Sequence, residues 1–254
     1  MRPERISERG AALLARLVKA KLTLPEPEHR VPLGLAEADA CLQGGLARGA
    51  LHEVIAEGGH ETAATGFAAA LAFRMARVKP VLWIRQDFAA AEWGEIAATG
   101  LLELGLDPDR LLLLRVAQAA DVLRAGADAL ACGALGAVVL EIVGTPKALD
   151  FVASQRLMLA AARAGVPAFL LRFQASVQAG VVETRWHIRS ARSAPGAETW
   201  GGPRFDATLA RNRHGRTGRF LMQWRCDDGV FSVPPNFGAV AAPAFDRPAA
   251  AKRA

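Results

Sequence analysis

A chain of 254 residues, 52% apolar and 22% charged, is globular in composition and long enough to bury one sizeable α/β core. No apolar run approaches the ~18–20 residues of a membrane span, and the start, MRPERISERG, lacks the apolar core of a secretory signal; the expected compartment is the cytoplasm. Three widely spaced cysteines, Cys41, Cys132 and Cys226, give neither a disulfide frame nor a zinc spacing, so reduced packing cysteines are expected.

The elements follow in order. Residues 4–20 set Ile6, Ala11, Leu13, Leu14, Leu17 and Val18 at helical spacing between charges. Residues 21–32 hold three prolines and no periodicity, the mark of a linker. Residues 1–35 are therefore expected to form a helical arm with a Pro-rich linker, packed on its own domain or on a partner chain. A glycine turn at Gly44 and Gly45 leads to a strand over 50–56, a Gly/Thr-rich loop over 57–66 and a helix over 67–76. Further strands are predicted over 80–85, 110–116, 137–143 and 167–173. Helices are predicted over 89–104 (broken near Thr99 and Gly100), 118–132 and 147–164. Short apolar runs alternating with helix-length segments imply a mostly parallel sheet covered on both faces. Beyond Phe173 the pattern becomes strands joined by turns (181–190, 205–211, 219–225, 230–233), read as antiparallel hairpins extending one edge of the sheet. Residues 237–254 are Ala/Pro-rich and basic at the end, the composition of a disordered tail.

Charge is uneven. The net +6 of the chain is matched by residues 183–225 alone, where nine Arg and three acids give 9 − 3 = +6. Such a segment attracts nucleic acid or acidic protein surfaces, or else forms a solvated sheet edge that discourages strand pairing. Its densest part is RNRHGRTG, with Arg211, Arg213 and Arg216 on a turn where Gly215 and Gly218 allow unusual backbone angles.

Strand, glycine loop and helix over 50–76 is the context of a phosphate-binding loop, whose backbone N–H groups and helix N-terminus favour an anion. A Walker loop also needs Lys followed by Ser or Thr, and no Lys stands between Lys21 and Lys79. Gly58, Gly59, Thr62, Thr65 and Gly66 would either still wrap a phosphate or form a purely structural turn; Glu57 and Glu61 add negative charge there. Losing the cation removes what stabilises a transferring phosphoryl group, and one such contact is worth ~10²–10³ in rate.

The run GGLARGALHEVIAEGGHETAATGFAAAL, followed by LWIRQDF, AVVLEIV and RNRHGRTG, resembles the RecA family from its glycine turn and Walker loop through its Walker B strand to its basic C-terminal hairpin. More closely, the layout over about residues 36–233 resembles the ImuA family, RecA/SulA-like accessory proteins of bacterial translesion synthesis. The resemblance implies a RecA-like α/β core over 36–236. It sets Glu141 at the position of the magnesium-side carboxylate and Asp87 at that of the water-activating one, each equally readable as an ion-pairing or helix-capping carboxylate. It casts Arg211, Arg213 and Arg216 as a finger toward a neighbour's nucleotide, or as a grip on a partner or on phosphate. The segments GTPKALD and QASVQAG are short where RecA carries DNA-binding loops, which argues against a RecA-style filament. The implied role is a non-catalytic adaptor in the SOS response, with a degenerate P-loop, no catalytic residue, no metal and no required cofactor; weak binding of ATP with magnesium is left open. The implied partners are an ImuB-like Y-family polymerase-like protein, an error-prone C-family DNA polymerase and RecA, with any DNA contact indirect and no membrane. A residual DNA-stimulated ATPase and a SulA-like inhibitor of cell division are the alternatives.

Overall fold

The computed structural model describes residues 30–176, 180–192 and 202–234. The expected N-terminal helix and the expected disordered tail lie outside these residues. Strand β1 (Arg30–Val31) pairs antiparallel with β2 (Leu46–Ala47), and α1 (Ala36–Cys41) lies between them in the chain. Then come β3 (Leu51–Ala56), α2 (Glu61–Ala76), β4 (Val81–Gln86), α3 (Asp87–Trp93), α4 (Ala98–Glu103), β5 (Leu111–Val116), α5 (Ala119–Leu130), β6 (Ala137–Val143), α6 (Phe151–Ala164) and β7 (Ala168–Phe173). The chain closes with β8 (Thr184–Ser190), β9 (Arg204–Asn212), β10 (Gly218–Arg225) and β11 (Val230–Ser232).

Nine strands form one mixed sheet in the order β11-β10-β9-β8-β3-β7-β6-β4-β5. The run from β8 to β5 is parallel; β9, β10 and β11 extend it antiparallel. This is the α/β, RecA-like arrangement that the resemblance implies. β8 differs from expectation: it is the sixth parallel strand, paired to β3, and the antiparallel part starts only at β9.

Two apolar layers sandwich the sheet. All six residues of β3 are buried, as a strand covered on both faces requires. α5 and α6 cover one face, packing Val122, Leu130, Leu157 and Ala161 against Val138, Leu140 and Ile142. α2 covers the other, and ten of its sixteen residues are buried. It is apolar nearly all round, which marks an enclosed helix. The β8–β11 end supplies the second wall: Phe67 meets Trp186 of β8, Phe205 of β9 and Phe231 of β11 at ring-centroid distances of 5.7, 5.4 and 5.2 Å. Alanines at 68, 69, 70 and 72 let sheet and helix approach closely. α6 is delimited by local chemistry: the Asp150 carboxylate accepts from the Ala153 N–H at 2.7 Å, and Gly165 ends the helix at φ +66°.

Three boundaries depart from the sequence reading. α2 starts at Glu61, six residues early, because burying Ala64 and Phe67 outweighs the weak propensity of Thr and Gly. α6 starts at Phe151 rather than Lys147, where Asp150 caps it. The helix expected over 89–104 is two helices, and the break falls at Gly94–Ala97 rather than near Thr99 and Gly100. β1 also occupies the end of the expected linker, and α1 follows it where no element was foreseen.

Candidate functional site

The crevice at the carboxyl ends of the parallel strands, where an open α/β sheet usually holds its ligand, is bordered by the β3–α2 connection. That connection is only four residues, Glu57–His60. The His60 N–H donates to the Glu57 carbonyl at 3.1 Å, and Gly58 and Gly59 sit between at φ +35° and +82°. Positive φ at both central residues requires glycine and makes a tight reversal. The loop expected over 57–66 is thus shorter, and Thr62, Thr65 and Gly66 lie in the first turns of α2. The Thr65 hydroxyl donates back to the Glu61 carbonyl at 2.9 Å. Gly66 faces the Phe205 ring. Of the residues singled out in the sequence, Gly58 and Gly59 line the crevice, a cavity of about 560 Å³, together with Glu57, Glu61, Trp93 and His187. Glu57 is held by His187 Nδ1 at 3.1 Å and by Arg189 at 3.8 Å.

Glu141 lies on β6, two strands from β3 and beside β4, and is 1% exposed. Trp83 donates its indole N–H to one carboxylate oxygen at 2.7 Å, and Arg85 donates to the other at 2.9 Å. Burial pushes the Glu141 carboxyl above its ordinary range, while Arg85 and Trp83 pull it back. Arg85 also donates to the Gly94 carbonyl at 3.0 Å and lies 3.7 Å from Glu95. Both oxygens of Glu141 are therefore spent inside the protein. Asp87 is the first residue of α3 rather than the cap of a helix near Ala89, and it is exposed. It accepts from Arg115 at 3.2 Å, and Arg115 also binds Glu95 at 2.6 Å. A magnesium triphosphate needs free carboxylate oxygens and a cradle of positive charge. Two glutamates at a tight turn and a buried, twice-bonded Glu141 do not match that donor set.

Arg211, Arg213 and Arg216 lie at the opposite end of the sheet. The turn after β9 abuts the start of β8, with Thr184 opposite Asn212. Strand length puts it roughly 25 Å from the crevice of the same chain, so a finger acting within one chain is ruled out. The turn is fixed: Asn212 donates to the Cys41 carbonyl at 2.8 Å and to the Arg216 carbonyl at 3.1 Å, and Gln43 donates to the His214 carbonyl. His214 faces Glu183 at 3.5 Å. The guanidinium groups of Arg211, Arg213 and Arg216 are exposed and have no side-chain partner among the described residues. The geometry is a rigid turn presenting three free cations.

Sequence reasoning missed the partners rather than the sites. In the sequence Trp83 and Arg85 read only as part of a strand, and Glu53, held between Arg172 at 3.3 Å and Arg185 inside the sheet, carries no motif. A signal was present: a charged residue inside an apolar strand needs a buried counter-charge, and Arg85, Glu141, Glu53 and Arg172 all break such runs.

No family model matches the chain. Among curated proteins it is 31% identical over 218 residues to Protein ImuA of Caulobacter vibrioides strain NA1000 / CB15N, covering 78% of this chain and 84% of that protein. It shows the same identity and coverage to Protein ImuA of C. vibrioides strain ATCC 19089 / CIP 103742 / CB 15. A lysine-free glycine turn, a buried and twice-bonded Glu141 and a fixed basic hairpin on a RecA-like sheet thus coincide with similarity along most of both chains, and the protein belongs to the ImuA family.

Proposed function

We propose that this protein is a non-catalytic adaptor in DNA damage-induced mutagenesis, built on an ATPase framework and working through protein contacts. The observation that carries the reading is Glu141, whose two oxygens are taken by Trp83 and Arg85 in a buried pair. The four-residue turn and the carboxylates of Glu57 and Glu61 support it from the other side of the crevice. The partners proposed are an ImuB-like protein, an error-prone C-family polymerase and RecA, in a cytoplasmic, SOS-induced assembly. The free guanidinium groups of Arg211, Arg213 and Arg216 offer an acidic partner a surface that is already ordered, so binding need not order the turn as well.

Two measurements test this. ATP turnover, with and without single-stranded DNA, is expected at background. Turnover well above background that Glu141→Gln abolishes would overturn the adaptor reading in favour of a surviving ATPase. Affinity capture from DNA-damaged cells is expected to recover polymerase-class partners with the wild type and to lose them with Arg211→Ala/Arg213→Ala/Arg216→Ala. Recovery of a cell-division polymer protein in their place would point to the SulA-like alternative.

A further inference from the structure

The amino ends of the parallel strands carry charge unevenly. Under β9, β8, β3 and β7 stand Arg211, Arg213 and Arg216 of the hairpin turn, Arg48 just before β3, and Arg163 in the last turn of α6. Contacts tie these parts together. The Asn212 amide donates to the Cys41 carbonyl and the Gln43 amide to the His214 carbonyl, which joins the turn to the segment leading to Arg48. A Cβ on Gly49 would lie 3.2 Å from the Ala161 carbonyl oxygen and from the Gly165 Cα, so Arg48 stands beside the end of α6. Arg48 is half-buried and the other four arginines are exposed; none of the five has a side-chain partner among the described residues. The acid within this half, Glu183, is buried and already faces Arg30 at 4.0 Å and His214 at 3.5 Å. Asp39 of α1 accepts from the Leu33 and Gly34 N–H groups, and Glu37 lies a helical turn away from Cys41. Under β6, β4 and β5 the charges balance instead: Arg77, Lys79 and Arg110 are matched by Asp107, Asp109 and Asp128.

We propose that this five-arginine patch binds duplex DNA through its phosphates, without reading bases. The inference is separate from the adaptor reading, since phosphate contact here calls for no protein partner. What the patch lacks decides its occupant. A protein partner draws most of its affinity from an apolar core inside the interface. None of the exposed large hydrophobics of the described residues lies on the patch; Val78 shares its end of the sheet but precedes β4. A single strand is normally held by aromatic rings on which its bases stack. The exposed aromatic rings, Phe88 and Phe151, begin α3 and α6 at the opposite ends of the strands. A duplex backbone asks only for cations placed along it, and the arginine fork pairs with phosphate bidentately. Three strand spacings separate β9 from β7, about 14 Å, and each strand of a duplex carries a phosphate every ~3.4 Å of rise. The patch therefore faces several phosphates at once. Its turn is already ordered, so binding need not order it.

The test is fluorescence anisotropy of a labelled duplex of about 20 base pairs with the full chain, between about 50 and 200 mM salt. Five phosphate contacts give a log–log slope of about −4.5, an affinity about 500-fold lower at the upper end of that range. Arg48→Ala/Arg163→Ala, which spares the hairpin, is expected to bring the slope to about −2.7 and to weaken binding at least about tenfold at low salt. Its urea midpoint is expected to match wild type, so a folding defect would be visible. Arg156→Ala removes an exposed arginine elsewhere on α6 and is expected to change neither slope nor affinity. Poly-glutamate of equal charge and the single strand are each expected to bind more weakly than the duplex. No binding at the lowest salt, a slope unchanged in Arg48→Ala/Arg163→Ala, or an equal effect of Arg156→Ala would each overturn the proposal. So would tighter binding of poly-glutamate, which would give the patch to an acidic protein, or of the single strand, which would mean that bases are gripped.

Discussion

His52 and Glu141 show how burial sets the chemistry of single residues here. His52 is fully buried in β3, with Nδ1 at 2.9 Å from the Thr184 hydroxyl and Nε2 at 2.9 Å from the Ala47 carbonyl. Burial depresses its pKa from 6.5 to about 4, so the folded protein holds it neutral. Between pH 6.5 and about 4 the unfolded chain binds a proton that the folded one refuses. Stability contributed by His52 is thus whole above pH 6.5 and is lost as pH falls toward 4, by roughly 3 kcal/mol over the window. Urea denaturation across that range is expected to show a shallower acid loss in His52→Gln than in wild type. Equal slopes would show that the imidazole is not held neutral. For Glu141 the direction reverses: a raised carboxyl pKa means the folded state favours the proton, so this group's contribution weakens as pH rises through and beyond its ordinary range. Glu141→Gln leaves the Arg85 guanidinium buried without a full counter-charge and is expected to cost about 3–5 kcal/mol, read as a lower urea midpoint at pH 7. A loss below about 1 kcal/mol would mean that Glu95 can take over the pairing.

At the scale of elements, turns carry most of the specificity. Gly45 sits at φ +129°, and a Cβ there would meet the Val31 carbonyl oxygen at 2.2 Å. Gly45→Ala must therefore push β1 off β2, and a loss of more than about 2 kcal/mol is expected in thermal or urea unfolding. The basic turn behaves oppositely. Arg211→Ala/Arg213→Ala is expected to leave stability within about 0.5 kcal/mol of wild type, because these guanidinium groups hold nothing. If they do reach a DNA backbone, the salt slope of single-strand binding should fall by about 1 per residue; an unchanged slope excludes phosphate contact. Elements with strong local signals were legible in the chain. β6 was predicted over its observed residues, and β3, β4, β5 and β7 to within a residue at each end. The start of α2 was not legible. Thr62, Thr65 and Gly66 favour a loop locally, and only the aromatic wall of Phe205 and Phe231 around Phe67 makes a helix there worthwhile.

For the whole molecule, burial predicts a gradient of local stability. α2 is enclosed between the sheet and the β9–β11 wall, whereas α3 and α4 are short and largely exposed around Gly94–Ala97. Native-state hydrogen exchange is expected to be slowest in α2 and β3 and fastest around 87–103; the reverse order would contradict the assigned core. By itself the sequence determined the alternation of strand and helix, the parallel sheet, the missing lysine and the clustered arginines. Those follow from periodicity and from which residues are present, and both are local. Only the tertiary structure decided that Glu141 spends its charge on Arg85, that the basic turn faces away from the crevice, and that β5 is the last strand of the sheet among the described residues. Each depends on which strands become neighbours, because a charge or an edge acquires its meaning from what lies across a gap of a few ångströms, and the order of residues along the chain does not record that.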